Sequence, residues 1–364
     1  MGLTPRERAL RAAARFPMSG PLEVVGPLAG GLIHETWLVR SGAAQWVLQE
    51  LNRAVFPDVD GVMANLAAVS AHLIKRLTHE AAPEVERRAL ALVRTVDGRP
   101  YATDEDGGAW RCTRYITGTV THQVAPTPAE AREAGRAFGE FTRLVADLRA
   151  PLAVTIPGFH DTPARLAALE RAAAADRAGR RWAVAAELEV IREQAALAPI
   201  IPSYLAAGEL PTRAAHNDAK IGNVLFDAAG GHALAVLDLD TVMPGSALHD
   251  VGDLIRSASG TAAEDEPDPA RMRVDAARFG AVVAGWFAGA GTVLTPLERS
   301  LTLTAGRVIT FEQAVRFLTD HLEGDRYYPI ARPGHNLDRA RAQLALLLDL
   351  TAREDELEEI VARA

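Results

Sequence analysis

One stretch of this sequence, residues 216–240, constrains the fold more than any other. It reads HNDAKIGNVLFDAAGGHALAVLDLD: a polar loop, an apolar run at 224–226, a glycine turn at 230–231, a second apolar run at 233–237, and two further carboxylates. Two short apolar runs joined by a glycine turn are typical of a β-hairpin. The pattern therefore predicts a hairpin with acidic and amide side chains at both ends.

Three oxygen-bearing side chains are expected to converge at one end of this hairpin. Asp218 precedes Asn223 by five residues and Asp238 by twenty, the order and approximate spacing of a kinase catalytic loop followed by its metal-binding aspartate. In that arrangement the first aspartate orients and deprotonates an attacking hydroxyl, while the other two side chains hold Mg²⁺ on the phosphates of ATP. We therefore predict Asp218 as the catalytic base and Asn223 and Asp238 as Mg²⁺ ligands.

The motifs HNDAKIGNVLFD and VLDLDTVMPG resemble the aminoglycoside phosphotransferase branch of the protein-kinase-like superfamily, and more closely its N-acetylhexosamine 1-kinase group. The segments VLQELNRAVFPDV near residue 50 and TFEQAVRFLTDHLEGDRYY near residue 320 match that group as well. The resemblance implies an α+β, bilobal protein-kinase-like fold, with an antiparallel sheet and a helix in the N-terminal lobe and a mostly helical C-terminal lobe. It also implies transfer of the ATP γ-phosphate to the anomeric hydroxyl of an N-acetylhexosamine.

The length of 364 residues by itself favours two lobes. We predict an N-terminal nucleotide-binding lobe over residues 1–116 and a helical catalytic and acceptor-binding lobe over residues 117–364. In the first lobe the patterns predict three strands within 22–51, a helix over 58–79 and strands at 89–96 and 109–115. In the second lobe, helices are predicted at 128–149, 163–177, 181–197, 249–257, 269–289, 296–323 and 337–363.

Composition limits the partners and the compartment. The net charge of −8 argues against a nucleic-acid surface. Cys112 is the only cysteine, which excludes intramolecular disulfides, and its aromatic neighbours predict a buried strand position. No run approaches the length of a membrane span, and the N-terminus lacks the apolar core of a signal peptide. We expect a cytoplasmic enzyme, monomeric or a weak homo-oligomer, whose partners are a sugar and ATP, with neither nucleic acid nor membrane.

The nucleotide site is predicted from a turn, a strand and the interlobe segment. Gly30 and Gly31 form a glycine turn between two strands, where backbone N–H groups can approach a phosphate. The resemblance implies that backbone groups of Tyr115 and Ile116 bind adenine. Gln49 takes the place at which protein kinases carry a phosphate-binding lysine.

Gln49 departs from the kinase pattern, because an amide supplies no charge. The following helix offers Asn65 rather than an acidic partner. Lys220, one of two lysines among 39 basic residues, is predicted to reach the transferring phosphate instead. The alternative is a nucleotide-binding pseudokinase that acts as a regulatory module.

Acceptor recognition is assigned to polar residues around Asp218. Asp240 and Thr241 follow the metal carboxylate and are predicted to bind sugar hydroxyls; a role for Asp240 as a second metal ligand is the alternative. The match to the N-acetylhexosamine kinase segment implies Arg316 as a sugar ligand with Tyr327 as a platform or hydroxyl donor, and His34 is predicted to line the cleft.

Other acceptors and supporting residues remain open at this point. A different small alcohol, such as an aminoglycoside, choline, homoserine or another sugar, is the alternative substrate. Against an aminoglycoside, the only acidic C-terminal cluster is EDELEE, whose spacing suits a solvated helix end. The resemblance gives His216 a structural role beneath the loop, and either Asp250 or Asp253 is expected to hydrogen-bond the loop backbone.

Overall fold

A computed structural model describes residues 3–28 and 33–364, which divide into two compact units. The first unit contains the described residues as far as Thr119, together with residues 147–157 and 235–243. The second contains residues 120–146, 158–234 and 244–364. The lobe boundary at residues 116–117 stays a prediction.

The first unit is built on a six-stranded antiparallel sheet of order β1-β2-β3-β6-β4, with β5 paired to β6. Its strands are β1 (Leu22–Pro27), β2 (Glu35–Ser41), β3 (Ala44–Glu50), β4 (Leu92–Val93), β5 (Ala102–Thr103) and β6 (Ala109–Arg114). Its helices are α1 (Pro5–Ala13), α2 (Val59–His79) and the short α3 (Val85–Arg88). The predicted antiparallel sheet with a long helix is confirmed.

The register of β3 against β6 separates a core face from a polar face. Leu48 lies opposite Cys112, and both pack with Trp110 and α1 in one buried apolar cluster. Gln49 lies opposite Arg111, and successive strand residues point to opposite faces. The Gln49 and Arg111 side chains therefore share the face away from that cluster. Cys112 is fully buried, which confirms the prediction of a buried core position, and burial raises its pKa to about 12.

One strand prediction in this unit is wrong in extent. The run 89–96 forms only the two-residue strand β4. The chain turns directly after it, because Thr95 bonds Arg99 through its main-chain N–H (2.9 Å) and its hydroxyl (3.2 Å). Strand β5 lies in the turn-rich segment that follows and was not predicted.

The second unit is mostly helical, as predicted. Its α-helices are α4 (Pro128–Val145), α5 (Thr162–Ala175), α6 (Ala185–Glu193), α7 (Ile200–Ala206), α8 (Ala247–Ala258), α9 (Ala276–Ala290), α10 (Pro296–Ser300), α11 (Thr302–Glu323), α12 (His335–Ala352) and α13 (Glu354–Arg363). Several long predicted helices are interrupted. The run 269–289 begins as a short 3-10 turn, and α9 starts only where Asp275 caps the N–H groups of Ala277 and Arg278.

Short strands complete the fold. Strands β9 (Val224–Asp227) and β10 (Ala233–Val236) form the predicted hairpin, and a sheet of order β10-β9-β7 adds β7 (Thr119–Val120). Strand β8 (Arg213–Ala215) pairs with β11 (Met243–Gly245). Gly231 at the hairpin turn has φ of 69°, a left-handed conformation that glycine adopts without strain.

Helices α4 and α9 approach each other through four glycines. A Cβ atom at Gly135 or Gly139 would overlap main-chain atoms of α9, and one at Gly285 or Gly289 would overlap main-chain atoms of α4. The two glycine pairs, each spaced by four residues, let the backbones touch where larger side chains would separate them. Among the residues that the structure describes, no helix is both long and apolar enough to cross a membrane.

Candidate functional site

The loop that carries Asp218 brings together three of the predicted catalytic residues. Nζ of Lys220 lies 3.0 Å from Oδ2 of Asp218, and Nδ2 of Asn223 donates to the same oxygen at 2.9 Å. Asn223 also donates to the main-chain oxygen of Asp218 at 2.8 Å. A 3-10 turn over Ile221–Asn223 folds the amide back onto the loop. Both of these side-chain contacts fall on Oδ2 rather than on Oδ1.

The surroundings of Asp218 keep it ionised. Burial raises the pKa of this carboxyl, but Lys220 and the hydrogen bond from Asn223 outweigh burial and hold the pKa well below its ordinary value. At neutral pH Asp218 is therefore a carboxylate, the form that accepts a proton.

The backbone just before Asp218 is held by a buried carboxylate. Oδ2 of Asp250 accepts a hydrogen bond from the main-chain N–H of His216 (2.9 Å), and Oδ1 accepts one from that of Asn217 (2.7 Å). Asp250 is thus the residue that bonds the loop backbone. Asp253 pairs instead with Nε of Arg256 at 2.7 Å.

The ring of His216 packs on aromatic side chains of α4, as its predicted structural role requires. Its centroid lies 5.2 Å from that of Phe138 and 5.7 Å from that of Phe141, both in edge-to-face geometry. Its Nδ1 accepts a hydrogen bond of 3.3 Å from the main-chain N–H of Asp218. Helix α4 therefore supports the loop from below.

In the first unit, Asp240 is buried in a polar network with His34. Nε2 of His34 lies 2.7 Å from Oδ2 of Asp240, while Nδ1 accepts a hydrogen bond of 3.0 Å from the main-chain N–H of Asn52. Nδ1 therefore carries no proton, and Nε2–H is the donor to Asp240. Both residues are less than a tenth exposed; their roles in acceptor binding stay predictions.

Arg111 supplies the positive charge that Gln49 lacks. Its two terminal nitrogens donate to the two oxygens of Asp240, and its Nε donates to Oε1 of Gln49 at 2.9 Å. Nε2 of Gln49 donates in turn to the hydroxyl of Thr36 at 3.1 Å. Burial disfavours ionised Asp240, yet Arg111 and His34 hold its pKa well below the ordinary value. Arg111 was not predicted, although an arginine within the apolar run AWRCTRY was a visible signal.

Asn65 on α2, which the sequence offers in place of an acidic partner for Gln49, makes structural hydrogen bonds. Nδ2 of Asn65 donates to the main-chain oxygens of Ala153 (2.8 Å) and Val242 (3.0 Å), and its Oδ1 accepts from the N–H of Ala153 at 2.9 Å. Asn65 thus ties two later segments of the first unit to α2. It does not pair with Gln49 as the helix glutamate of a protein kinase pairs with its lysine.

His34, Asp238 and Asp240 lie close enough to hold a cation, with one ligand atom of each within 4.8 Å of the others. His34 is engaged through both ring nitrogens and Asp240 through both oxygens. A metal here would have to displace those bonds. Asp238 is partly buried and has φ of 57°; its role as a Mg²⁺ ligand stays a prediction.

The predicted acceptor ligand Arg316 lies among aromatic rings on α11. Its guanidinium stacks 4.9 Å from the ring centre of Phe159 and 5.7 Å from that of Tyr328, and it donates to Oε1 of Gln313 at 2.7 Å. Burial lowers the pKa of Arg316, but Tyr328 and nearby carboxylates, Asp218 among them, raise it overall. Arg316 is therefore a permanent cation in the electrostatic field of Asp218.

The remaining predicted residues are more scattered. Tyr327 is 54% exposed, with its ring edge-on to Tyr328, so Tyr328 is the tyrosine that contacts Arg316. Thr241 is buried at the end of a 3-10 turn. The N–H of Tyr115 donates to the main-chain oxygen of Gln45 at 3.2 Å.

The rest of the predicted nucleotide site consists of Ile116 and the glycine turn. Ile116 is buried, and its main-chain oxygen accepts a hydrogen bond of 2.8 Å from the hydroxyl of Thr119. Gly30 and Gly31 fall outside the described residues. The phosphate-approaching turn therefore stays a prediction.

His160 and Glu312 contact each other near the loop that carries Asp218, and neither was predicted for any role. Nε2 of His160 donates to the main-chain oxygen of Asn217 at 2.8 Å, and Nδ1 lies 2.8 Å from Oε1 of Glu312. Glu312 lies in the helix predicted over 296–323 and was given no function there, and nothing in the sequence around His160 signals this contact.

Comparison with known proteins identifies the family and the fold. Residues 24–288 match a family model described as a phosphotransferase enzyme family. A choline/ethanolamine kinase family protein from Mesorhizobium loti is 18% identical, with a TM-score of 0.55 over 99% of this chain and 98% of that chain. An aminoglycoside phosphotransferase from Alicyclobacillus acidocaldarius is 14% identical, with a TM-score of 0.59 over 100% of this chain and 98% of that one.

A third solved structure is a spectinomycin phosphotransferase in complex with ADP and spectinomycin. It is 11% identical, with a TM-score of 0.53 over 95% of this chain and 98% of that chain. These likenesses confirm the predicted protein-kinase-like fold, with an antiparallel sheet in the N-terminal lobe and a helical C-terminal lobe.

Proposed function

We propose, starting from the fact that the chain belongs to the phosphotransferase enzyme family, that it transfers the γ-phosphate of ATP to a hydroxyl group of a small molecule. The observation that carries the proposal is the ionised Asp218, held through Oδ2 by Lys220 and Asn223. Its Oδ1 accepts the proton of the attacking hydroxyl as the oxygen of that hydroxyl bonds to the γ-phosphorus. The bond between the γ-phosphorus and the β–γ bridging oxygen breaks, and ADP leaves. Such a reaction depends mainly on positioning and charge neutralisation.

Mg²⁺ is the cation that this reaction needs, and the residues fit it. Asn223 uses its amide nitrogen in both bonds to Asp218, so its amide oxygen is the atom that binds a hard cation. Asp238 supplies a carboxylate. When bound, Mg²⁺ neutralises phosphate charge, and Lys220 adds a second positive charge at the transferring phosphate.

ATP is the proposed donor, supported by the ADP in the related spectinomycin phosphotransferase. Backbone groups of Tyr115 and Ile116 are proposed to bind adenine, and the turn at Gly30 and Gly31 to approach the phosphates, with Gln49 as an uncharged contact. An intact set of Asp218, Lys220 and Asn223 favours an active enzyme over a pseudokinase.

The proposed acceptor is the anomeric hydroxyl of an N-acetylhexosamine, recognised by His34, Asp240, Thr241, Arg316 and Tyr327. One electrostatic observation supports a neutral acceptor. Arg316 is a permanent cation in the field of Asp218, and a cation there repels choline or a protonated aminoglycoside. A sugar hydroxyl, in contrast, accepts hydrogen bonds from a guanidinium and donates to a fixed carboxylate such as Asp240.

The test is ADP release with Mg²⁺-ATP against separate acceptors: N-acetylglucosamine, N-acetylgalactosamine, glucose, galactose, choline and an aminoglycoside. Turnover confined to the two N-acetylated sugars, with phosphate on the anomeric oxygen by ³¹P NMR, is the expected result. Turnover on choline or the aminoglycoside alone would keep the phosphotransferase and reject the sugar. Turnover on none, while ATP still binds, would favour the pseudokinase.

A further inference from the structure

His160 lies between two hydrogen-bond acceptors, both within the second unit. Nδ1 lies 2.8 Å from Oε1 of Glu312, and Nε2 lies 2.8 Å from the main-chain oxygen of Asn217. The His160 side chain is 6% exposed and that of Glu312 is fully buried. A main-chain oxygen and an ionised carboxylate have no proton to offer, so both ring nitrogens must donate. The ring that satisfies both bonds is an imidazolium.

The charges around His160 favour this protonated form. Burial lowers the pKa of His160, but Glu312 and the main-chain oxygen of Asn217 outweigh burial and raise it above the ordinary value. Burial raises the pKa of Glu312, yet His160 and Arg316 lower it to about 2. Both shifts favour the ion pair, in agreement with the hydrogen-bond geometry.

The other groups that face this pair fit an ion pair. The hydroxyl of Thr162 donates to Oε2 of Glu312 at 2.6 Å, which satisfies the second carboxylate oxygen. The ring of His249 lies 4.4 Å from that of His160, and burial together with the His160 charge holds the pKa of His249 well below its ordinary value. Arg316 opposes the His160 charge. The surroundings therefore favour a charge on His160 and disfavour one on its neighbour His249.

The peptide segment before Asp218 is thus bonded from two sides by opposite charges. The carboxylate of Asp250 accepts the N–H groups of His216 and Asn217, while His160 donates to the carbonyl of Asn217. Asn217 has φ of 63°, a left-handed conformation that a non-glycine residue adopts only when its surroundings hold it there. Asp218 is the next residue in the chain, so its position depends on both contacts.

We propose that His160, as an imidazolium paired with Glu312, is a positioning residue that holds the peptide before Asp218 and so sets the direction of the catalytic carboxylate. Its effect on turnover rests on the proposed function, while its charge and its hold on the loop do not. Because the protonated state is favoured, the contact persists at neutral pH and is lost as pH rises through the pKa of folded His160. The chain therefore gains an alkaline limit to turnover that Asp218 itself cannot cause.

Histidine NMR tests the charge without any acceptor. In protein labelled with ¹⁵N at its ten histidines, one ring is expected to show both nitrogens protonated at pH 7.5, and His160→Gln identifies it. Glu312→Gln removes the partner charge and is expected to leave that ring neutral at the same pH. The matched control is Glu298→Gln, which breaks another buried ion pair of the second unit, with Nε of Arg213 at 2.8 Å. The control should leave the His160 signals unchanged.

Hydrogen exchange and turnover test the positioning. Glu312→Gln and His160→Gln are expected to raise amide exchange of the segment 216–221, and Glu298→Gln is not. If an acceptor is turned over, His160→Gln should lower kcat about a hundredfold with the KM for ATP unchanged. Glu312→Gln should move the alkaline limit of kcat to lower pH.

A neutral His160 ring in the wild type at pH 7.5 would overturn the proposal. So would loop exchange that rises equally in Glu298→Gln. If no acceptor is turned over, the proposed function fails, whereas the NMR and exchange results still decide whether His160 holds the loop.

Discussion

Oε1 of Gln49 accepts a hydrogen bond of 2.9 Å from Nε of Arg111 on the neighbouring strand. The cation that a kinase carries on its third strand is thus found one strand further across the sheet, where it holds Asp240 through both oxygens. A lysine at position 49 would bring a second positive charge against Arg111. A neutral amide there is what the neighbouring arginine requires.

Arg111→Gln is expected to destabilise the protein by about 3–5 kcal/mol, because it leaves buried Asp240 without its counter-charge. The measurement is the free energy of unfolding by urea at pH 7. Arg114→Gln, at an exposed position of the same strand, is the matched control and should change stability by about 0.5 kcal/mol or less. Equal effects of the two substitutions would contradict the assignment of Arg111.

Gln49→Lys alone is expected to destabilise the protein, because the new cation at this partly buried position is repelled by buried Arg111. The double variant with Gln49→Lys and Arg111→Gln returns one positive charge to the site, so it should be more stable than Arg111→Gln alone. A double-mutant cycle on urea unfolding measures the coupling. If the effects of the two substitutions on stability were additive, the residues at positions 49 and 111 would not interact electrostatically.

Asp218→Asn is expected to lower kcat about a hundredfold to ten-thousandfold, the range for removal of a general base. Nucleotide affinity should be unchanged, since the substitution preserves shape. ADP release and ATP titration by calorimetry measure the two quantities. Asp268→Asn, which keeps a helix-capping side chain at another position, should affect neither. Retention of most of the rate in Asp218→Asn would show that another residue accepts the proton.

Magnesium dependence separates the two carboxylates that follow the hairpin. Asp238→Asn is expected to raise the Mg²⁺ concentration for half-maximal turnover, because a proposed metal ligand is weakened. Asp240→Asn is expected to lower stability and acceptor affinity without that increase, since both its oxygens are bound by Arg111. Turnover measured over a Mg²⁺ titration decides between them. A larger Mg²⁺ requirement in Asp240→Asn would restore the alternative of a second metal ligand.

Gly285→Ala is expected to destabilise the second unit by about 1–3 kcal/mol, the usual result of overpacking. The added methyl group would overlap the main-chain oxygen of Arg132, which cannot move without displacing α4. Gly280→Ala in the same helix meets only the side chain of Ile360 at 3.1 Å and is the matched control. Thermal unfolding should show a lower Tm for the first variant and little change for the second.

The free-energy difference between wild type and Glu312→Gln is expected to shrink in acid. The folded pKa of Glu312 is about 2, below the ordinary value of about 4.3. The ionised carboxylate of Glu312 therefore stabilises the folded protein by about 3 kcal/mol. This stabilisation is complete above about pH 5 and is lost as pH falls towards 2. Urea unfolding of both proteins from pH 6 to 3 measures the difference. Parallel curves would show that Glu312 is not ionised in the folded state.

Local features of the site could be predicted from sequence, and long-range contacts could not. The hairpin and the proximity of Asn223 to Asp218 arise within a few residues, so spacing alone indicates them, whereas the contact of Lys220 with Asp218 was not predicted. His160 meets Asn217 across 57 residues of chain and Arg111 meets Asp240 across 129. Partners at such separations are chosen by the tertiary fold, on which single-residue patterns carry no information.

Boundaries of elements failed for a related reason. Apolar periodicity continues through Leu301 and Arg353. At these residues the helix is interrupted, between α10 and α11 and between α12 and α13. Neither position carries a glycine or proline to mark the break. The periodicity therefore predicts which face is buried but not where a helix stops.

The contact of α4 with α9 also limits which substitutions this sequence can tolerate. At Gly135, Gly139, Gly285 and Gly289 every other amino acid adds atoms where a backbone already lies, so a substitution there is expected to destabilise the second unit whatever the substrate. Exposed positions such as Tyr327 carry no such restriction. Exposed residues can therefore change, and with them the acceptor that is bound, while the contact between α4 and α9 stays fixed.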